Sequence, residues 1–211
     1  MRMAAARNAF ARGVFVTLAI FVAAVAAPRV QTAQENEADA RWLVSALEIH
    51  AGSTVGEIGA GGGELTIAIA NVVGPSGRVF SNELNTDRLK AIETMVEKAG
   101  LQNVTAVEGR ENEGNLPDQC CDAIFMRNVY HHFGAPPAMN ASLLKSLKPG
   151  GRLAIIDFAP IGSENAPGTR AEGNHHGVTA MTVERELKAV GFEIVSSATA
   201  DRTVRVVARR P

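Results

Sequence analysis

The most informative stretch of the chain is Val55-Gly56-Glu57-Ile58-Gly59-Ala60-Gly61-Gly62-Gly63-Glu64. It joins a short apolar run, which predicts a strand, to a longer run that predicts a helix. Glycines let the backbone turn tightly and approach a ligand closely. The free N–H groups at the start of the following helix attract electron-rich ligand atoms. The stretch therefore predicts a loop that binds a nucleotide-like cofactor.

Three acids refine this prediction. Glu64 stands where a dinucleotide-binding loop would have its third glycine, and Glu57 precedes the first loop glycine by two residues. A carboxylate at Glu57 suits a ligand that carries an amino group or sulfonium, and it would repel a pyrophosphate. Glu83 follows Gly63 by 20 positions, where a carboxylate can accept hydrogen bonds from both ribose hydroxyls. Alternatively, Glu57 is a capped or solvated acid at the end of a strand, and Glu83 is a surface acid in the loop between a strand and a helix.

Helix and strand patterns alternate along the rest of the chain with short connections, which is typical of an α/β fold with a largely parallel sheet. A turn at 148–151 precedes the fifth strand, and the last two strands are close enough in sequence to be antiparallel neighbours. We predict helices at 38–49, 64–73, 86–99, 136–147 and 182–190, and strands at 54–58, 78–82, 104–108, 121–126, 152–157, 193–198 and 203–208.

The N-terminus carries the pattern of a secretory signal. Residues 1–12 contain three arginines and no acid, residues 13–27 are uncharged and apolar, and Ala24-Val25-Ala26 is an A-x-A cleavage site. The apolar run is shorter than the roughly 20 residues that a transmembrane helix needs. Pro28 could hinder cleavage and leave an N-terminal anchor. The alternative is a buried or amphipathic helix of a cytosolic protein.

We therefore predict a signal peptide or anchor at 1–26, a linker at 27–37 and a folded domain at 38–211. The protein is then exported to the periplasm or outside the cell, or is attached to a membrane through an uncleaved leader. The whole chain has 211 residues and a net charge of −1. Residues 27–211 hold 18 basic and 22 acidic side chains, a net charge of −4. This balance gives no reason to expect binding to nucleic acid.

From residue 38 onward the chain resembles the class I S-adenosylmethionine-dependent methyltransferases. The glycine loop looks like the first motif of that family, and residues 78–85 look like its second. Residues 116–122 are similar to the approach to its fourth strand, and residues 147–153 to the turn before its fifth. The resemblance implies a doubly wound, mostly parallel seven-stranded sheet with an antiparallel last strand. It also implies methyl transfer from S-adenosylmethionine to a small-molecule acceptor.

The same resemblance implies roles for individual residues. The loop glycines would face the methionyl and ribose parts of the cofactor, and Glu57 would act near the amino group through backbone or water. Glu83 would hold the ribose hydroxyls, and Asn112 or Glu111 would contact the adenine. The expected cofactor-binding set is Glu57, Gly59, Ala60, Gly61, Gly63, Glu83, Leu84, Glu111, Asn112 and Asn128.

The methyl acceptor is expected beside Asn128-Val129-Tyr130-His131-His132-Phe133, which follows the fourth strand. This stretch resembles a Tyr-His-His-Phe element of one methyltransferase subgroup. Asn128 or Tyr130 could position the acceptor, and His131 or His132 could take its proton because histidine has a reference pKa near 6.5. Alternatively, one histidine caps the next helix and the other packs beside the cofactor. Alignment alone can carry most of the catalysis on an activated sulfonium.

The second histidine pair, the acid at the end of the fifth strand and the two cysteines are further features of the sequence. His175 and His176 lie in a long polar loop at 161–179 that could close over the acceptor as a lid. Asp157 is either an acceptor contact or a structural acid. We expect no metal site, because neighbouring residues on a strand point apart and no cluster of Cys or Asp supports the histidines. Cys121 is expected as a buried strand residue, with a disulfide to Cys120 as the alternative.

Two other functions remain open at this point. An exported protein that binds S-adenosylmethionine or a nucleoside without catalysis would carry the same loop. A nicotinamide-dependent oxidoreductase is disfavoured by Glu57 and Glu64. The sequence identifies neither the acceptor atom nor the oligomeric state.

Overall fold

The computed structural model describes residues 31–211, in which helices and strands alternate except at two places where one strand directly follows another. The helices are α1 (Ala33–Ala46), α2 (Glu64–Val73), α3 (Thr86–Lys98), α4 (Pro136–Ser146) and α5 (Ala180–Ala189). The strands are β1 (Thr54–Ile58), β2 (Arg78–Glu83), β3 (Val104–Glu108), β4 (Cys121–Arg127), β5 (Leu147–Phe158), β6 (Glu193–Ala200) and β7 (Thr203–Arg209). The predicted leader at 1–26 and the first part of the linker lie outside the described residues.

The seven strands form one sheet in the order β3-β2-β1-β4-β5-β7-β6. Neighbours from β3 to β5 are parallel, and β7 runs antiparallel to both β5 and β6. This arrangement confirms the predicted doubly wound sheet with an antiparallel last strand. The chain changes direction along the sheet between β1 and β4, and ligands of such sheets bind in the crevice at that point.

Alternation along the central strands builds a core on each face of the sheet. Ile124 of β4 and Leu153 of β5 pack with residues of α4 and α5, whereas Phe125 and Ala154 pack with residues of α1 and α2. These four side chains are fully buried. Burial on both faces explains why β4 and β5 are almost continuously apolar in the sequence.

Three elements begin earlier than the sequence predicts, and α5 does so by only two residues, at Ala180. Helix α1 starts at Ala33, inside the predicted linker, because Thr32 and Glu35 form a capping box that supports the first turn. Strand β5 starts at Leu147, the last residue of the predicted fourth helix, and so includes the predicted turn at 148–151. Leu147 pairs with Cys121, and the regular register resumes only at the pair of Ala123 with Arg152. The turn residues are therefore an irregular part of the strand.

The adjacent cysteines adopt both of the arrangements that the sequence left open. Cys121 is fully buried and is the first residue of β4, as predicted. It also forms a disulfide bond with Cys120.

Strands β6 and β7 form a hairpin at one side of the sheet. Asp201 and Arg202 make its two-residue turn, and both have positive φ, at 48° and 66°, as a type I′ turn requires. Strand β6 is the edge and is exposed along almost its whole length. Strand β7 lies between β6 and β5.

None of the helices between residues 31 and 211 has the length and apolar character that a membrane span requires.

Candidate active site

The glycine loop runs from the end of β1 to the start of α2, and its three predicted glycines have positive φ. A Cβ at Gly59 would lie 2.5 Å from the side chain of Val129, and one at Gly63 would lie 2.7 Å from that of Met95. These two glycines therefore let the loop pack against the protein. A Cβ at Gly61, where φ is 59°, would meet no atom within 4 Å. Gly61 is thus the point at which a ligand can approach the loop backbone.

Glu83 connects the end of β2 to this loop. Its Oε2 accepts a hydrogen bond of 2.8 Å from the backbone N–H of Gly61, and its Oε1 accepts one of 3.0 Å from the N–H of Asn85. Each carboxylate oxygen can accept a second hydrogen bond. The structure therefore brings Glu83, which is predicted to bind the ribose, next to Gly61. Its carboxylate can still accept hydrogen bonds from two hydroxyls.

An open cavity of about 580 Å³ lies beside Glu83. It is lined by Leu84, Gly109, Arg110, Glu111, Asn112 and Glu113. Leu84 is 56% exposed, although it is a large apolar side chain, and it offers a surface for a flat base. Arg110 forms an ion pair with Glu113 at 2.8 Å. Glu111 and Asn112 therefore line the cavity in which the adenine is expected.

These three parts together fit S-adenosylmethionine. The open side of Gly61 would admit the methionyl part, the carboxylate of Glu83 would accept from the ribose hydroxyls, and the adenine would enter the cavity beside Leu84. We call this group of residues, Gly59 to Gly63 with Glu83, Leu84, Glu111 and Asn112, the cofactor cradle.

Glu57 lies beneath the cradle and is buried, with 3% of its surface exposed. Its carboxyl group accepts a hydrogen bond from the hydroxyl of Thr66, which lies 2.8 Å from the hydroxyl of Ser81. Burial raises the pKa of Glu57 to about 8, and the Thr66 hydrogen bond and the charge of Arg127 only partly oppose this. Glu57 is thus mostly protonated at neutral pH, and its side chain supports the loop from inside the protein.

Asn128 and Tyr130, which the sequence offered as acceptor contacts, occupy different surroundings. Asn128 follows β4 with a φ of 55° and donates its backbone N–H to Ile156 at 2.8 Å. Tyr130 is fully buried. Its hydroxyl lies 3.0 Å from a carboxylate oxygen of Glu186 and accepts a hydrogen bond of 2.8 Å from Asn140. The structure therefore turns Tyr130 into the core, away from the other predicted site residues.

His131 forms a buried pair with Asp157, the acid at the end of β5. Its Nδ1 lies 2.7 Å from Oδ1 of Asp157, and its backbone N–H donates to Oδ2 at 3.2 Å. Both side chains are almost completely buried. Because a carboxylate only accepts, Nδ1 of His131 carries a proton, and in the neutral form of the ring the lone pair lies on Nε2. Asp157 is a positioning residue for this imidazole.

Two further histidines complete a cluster with His131. The Nε2 atom of His176 lies 2.8 Å from the Nε2 atom of His131, and the ring centroid of His132 lies 4.0 Å from that of His131. His132 is exposed and His176 is half-buried. Burial, followed by the charge that a protonated His131 would carry, lowers the pKa of both. We call His131, His132 and His176 the imidazole cluster.

A buried arginine holds the loop that carries His176. Arg170 is 1% exposed and pairs with Glu164 at 2.9 Å and with Glu186 of α5 at 2.5 Å. The carboxylate of Glu164 also accepts from the backbone N–H of Thr179, next to the start of α5, at 2.9 Å. Sequence reasoning missed Arg170, because an arginine in a polar loop gives no signal that it is buried.

Residues 49–199 match the protein family described as "Methyltransferase domain". The chain belongs to this methyltransferase family. The match covers well over half of the chain and confirms the enzyme class predicted from the sequence.

Curated relatives resemble part of the methyltransferase. The ubiquinone/menaquinone biosynthesis C-methyltransferase UbiE of Ectopseudomonas mendocina is 31% identical over 128 residues, which are 58% of this chain and 48% of the relative. The protein of the same description from Stutzerimonas stutzeri is 33% identical over 124 residues, 56% of this chain and 47% of the relative. The matched part of the chain thus spans about half the length of these relatives.

Solved structures share the fold. A SAM-dependent methyltransferase from Aquifex aeolicus is 24% identical with a TM-score of 0.70, and the match covers 82% of this chain and 90% of that one. The [4+2]-cyclase SpnF is 16% identical with a TM-score of 0.74, covering 87% and 84%. Because a protein described as a cyclase has the same fold, the reaction has to be argued from the site.

Proposed function

We propose that this methyltransferase transfers a methyl group from S-adenosylmethionine to a small-molecule acceptor bound against the imidazole cluster. One observation carries the proposal. The open side of Gly61 and the carboxylate of Glu83 lie at the same sheet edge as His131, and the side chain of Val129, two residues before His131, packs against Gly59. Cofactor and acceptor sites are therefore adjacent.

The chain's own residues bind and orient the reactants. S-adenosylmethionine supplies a methyl group on a positively charged sulfur, which makes that group susceptible to a nucleophile. The loop around Gly61 would hold the methionyl part, and Glu83 would accept hydrogen bonds from the ribose hydroxyls. Leu84 and Asn112 would contact the adenine. Fixing both reactants in line supplies much of the rate enhancement of such a displacement.

The imidazole cluster is the group that can take a proton from the acceptor. Asp157 fixes the proton of His131 on Nδ1, so that Nε2 is the basic nitrogen of that ring. His132 is exposed and close to this nitrogen, where an acceptor can reach it. The lowered pKa of His132 keeps it neutral, and therefore able to accept a proton, at neutral pH.

Calorimetry on the full-length chain tests the cofactor. We expect S-adenosylmethionine and S-adenosylhomocysteine to bind with micromolar dissociation constants, and a nicotinamide dinucleotide to bind far more weakly. Binding of the dinucleotide without binding of the other two would overturn the proposal and favour an oxidoreductase.

Formation of S-adenosylhomocysteine tests the reaction. A panel of small acceptors can start with quinone precursors, because the matched relatives are described as ubiquinone/menaquinone biosynthesis C-methyltransferases. We expect product only in the presence of both S-adenosylmethionine and an acceptor. Tight binding of S-adenosylmethionine with no turnover on any acceptor that binds would favour a binding protein without catalysis.

Export is part of the proposal. The arginines of residues 1–12, the apolar run and the A-x-A site support a functional leader. Fractionation followed by N-terminal sequencing tests it. A chain that begins at Ala27 outside the cytosol is the expected result, and membrane-bound chains with an intact Met1 would indicate an anchor. A soluble cytosolic chain with an intact Met1 would contradict export.

A further inference from the structure

The three imidazoles of the cluster are arranged like a set of metal ligands. One ring nitrogen from each of His131, His132 and His176 lies within 4.8 Å of the others. Histidine is the commonest nitrogen ligand of transition metals in proteins. Three histidines with a fourth position left open are typical of a catalytic zinc site.

The surroundings of His131 match those of a metal-bound histidine. Such a histidine usually donates its second ring N–H to a carboxylate or carbonyl, which fixes the ring and directs the lone pair of the other nitrogen to the metal. Asp157 does this for His131, with 2.7 Å between Oδ1 and Nδ1. Phe158 packs beside both His131 and His176, with ring centroids 4.8 and 5.0 Å away. The site therefore has a charged partner on one side and an apolar wall on another.

Local backbone geometry removes the reason for expecting no metal. Adjacent residues point apart on a strand, but Tyr130–His132 forms a 3-10 helix after β4. Its turn places the rings of His131 and His132 with centroids 4.0 Å apart. His176 then enters from the loop after β5, which Arg170 holds against α5. The ligands come from two loops that the fold brings to one edge of the sheet.

We infer that His131, His132 and His176 bind one divalent transition-metal ion, such as Zn²⁺ or Co²⁺, with an open position toward the methyl acceptor. Imidazole ligands suit these ions, whereas Mg²⁺ and Ca²⁺ prefer oxygen. Nitrogen atoms about 2.0–2.1 Å from a tetrahedral ion lie roughly 3.3 Å apart. The Nε2 atoms of His131 and His176 are 2.8 Å apart, and the three ligand atoms lie within 4.8 Å of one another, so both His176 and His132 would have to adjust their positions to admit the ion.

A role of this ion in methyl transfer rests on the proposed function, which places the methyl acceptor beside the exposed ring of His132. An acceptor oxygen, nitrogen or sulfur atom would occupy the open position, where the ion would lower its pKa. The ring nitrogens that hold the ion could not take the acceptor's proton at the same time, so in the metal-bound chain this proton would pass to water. Metal binding itself needs neither acceptor nor cofactor, so it can be measured alone.

Titration with Co²⁺ alone provides the test, since the ion has visible absorption bands that depend on its coordination. The full-length chain is first treated with a chelator and dialysed. We expect one Co²⁺ per chain, bands of four- or five-coordinate nitrogen-bound Co²⁺, and displacement of the ion by one equivalent of Zn²⁺. Failure of the chain to bind a stoichiometric ion would overturn the inference.

Two ligand variants and a matched control locate the ion. His132→Ala and His176→Ala each remove a ligand from an exposed or half-buried position, and we expect each to weaken Co²⁺ binding at least tenfold. His175→Ala is the control, because His175 lies next to His176 but bonds to the carbonyl of Ser163. It should change the affinity less than twofold. An equal loss in His175→Ala and His176→Ala would overturn the assigned ligands.

Asp157→Asn tests the positioning role without removing a ligand. We expect Co²⁺ affinity to fall about 10- to 100-fold, as for other carboxylates that orient a metal-bound histidine. An unchanged affinity would contradict the assigned role of the Asp157–His131 pair. Circular dichroism of each variant establishes that it is folded.

Calorimetry with S-adenosylmethionine on the metal-free chain separates this inference from the proposed function. Cofactor binding without Co²⁺ binding would remove the metal site and leave the proposed function intact. Co²⁺ binding at the three histidines without cofactor binding would leave the metal site and remove the proposed function.

Discussion

The cofactor cradle and the imidazole cluster lie side by side, but the chain builds them differently. The glycine loop of the cradle is one continuous stretch, residues 59–63, and the ends of two neighbouring strands add Glu83 and Leu84, and Glu111 and Asn112. The cluster joins His131 and His132 to His176, which is 45 positions away in sequence from His131. The cradle therefore depends on local backbone conformation, whereas the cluster depends on how two loops are held together. Variants that affect one region should leave the other largely intact.

The largest expected effect is a loss of stability when the loop that carries His176 loses its buried arginine. Arg170→Met removes a buried cation and leaves Glu164 and Glu186 without their partner. Breaking a buried ion pair in this way costs about 3–5 kcal/mol. We expect the free energy of unfolding, measured with urea, to fall by that amount, and Co²⁺ affinity to fall with it.

The control for this variant is Arg41→Met, which breaks an exposed pair with Glu37 and should change stability by less than about 1 kcal/mol. At a temperature where Arg170→Met is folded, its affinity for S-adenosylmethionine should stay within about threefold of wild type. A matching loss of cofactor affinity would show that the two regions are not independent.

The next effect concerns the support beneath the cradle. Since the pKa of Glu57 is about 8 in the folded chain, the folded state keeps a proton that the unfolded state releases near pH 4.5. The contribution of this group to stability is therefore full below about pH 4.5 and falls as the pH rises to about 8. Glu57→Gln has no proton to lose. Its free energy of unfolding relative to wild type should therefore rise by about 3 kcal/mol from pH 5 to pH 8.

Urea unfolding at both pH values measures this gain, and Glu93→Gln, at an exposed position of α3, serves as the control. Affinity for S-adenosylmethionine should change less than about threefold, because the side chain of Glu57 bonds to Thr66. A much larger loss of affinity would place Glu57 in contact with the cofactor.

A large side chain at Gly61 should weaken the binding of S-adenosylmethionine by a free energy similar to the change in stability expected for Glu57→Gln. Gly61→Arg fills the space into which the ligand is placed, and we expect at least 100-fold weaker binding of S-adenosylmethionine by calorimetry, about 2.7 kcal/mol. Gly100→Arg is a matched control, since φ is 67° there and a Cβ would also meet no atom within 4 Å. If both variants bind like wild type, the assignment of the loop is wrong.

The smallest of these effects is expected at the ribose. Glu83→Ala removes charged hydrogen bonds to the hydroxyls and should weaken binding by about 1–3 kcal/mol. Because Glu83 also accepts from Gly61, Glu83→Gln keeps one acceptor oxygen and should lose less. A dissociation constant that stays unchanged in Glu83→Ala would reject the ribose role, while Co²⁺ binding should be normal in both variants.

Local patterns predicted most of the fold and the cradle. Helix α2 and strands β1 and β3 have the predicted bounds, because glycines and turn residues mark both ends of each element. The start of α1 was missed, since Thr32 and Glu35 stabilise a turn whose composition reads as a linker. The irregular pairing before Arg152 was missed because Pro149 and two glycines are typical of a turn.

The imidazole cluster shows what local patterns leave out. Each histidine pair was visible in the sequence, but the contact between His131 and His176 depends on the position of a long loop. That position depends on Arg170, whose burial follows from packing against Glu164 and Glu186 rather than from its sequence neighbours. The same holds for Tyr130, which turns toward Asn140 because the 3-10 helix rotates it into the core.

The place of β7 in the sheet has a consequence for how the protein is made. This strand follows all the others in the chain, yet it pairs with β5 along seven positions and separates β5 from β6. A nascent chain on the ribosome that has not yet produced residues 203–209 leaves an unpaired, largely apolar edge at β5. Such an edge invites pairing with other chains. The completed hairpin is what covers this edge, so the edge of β5 stays open until residues 203–209 have been made.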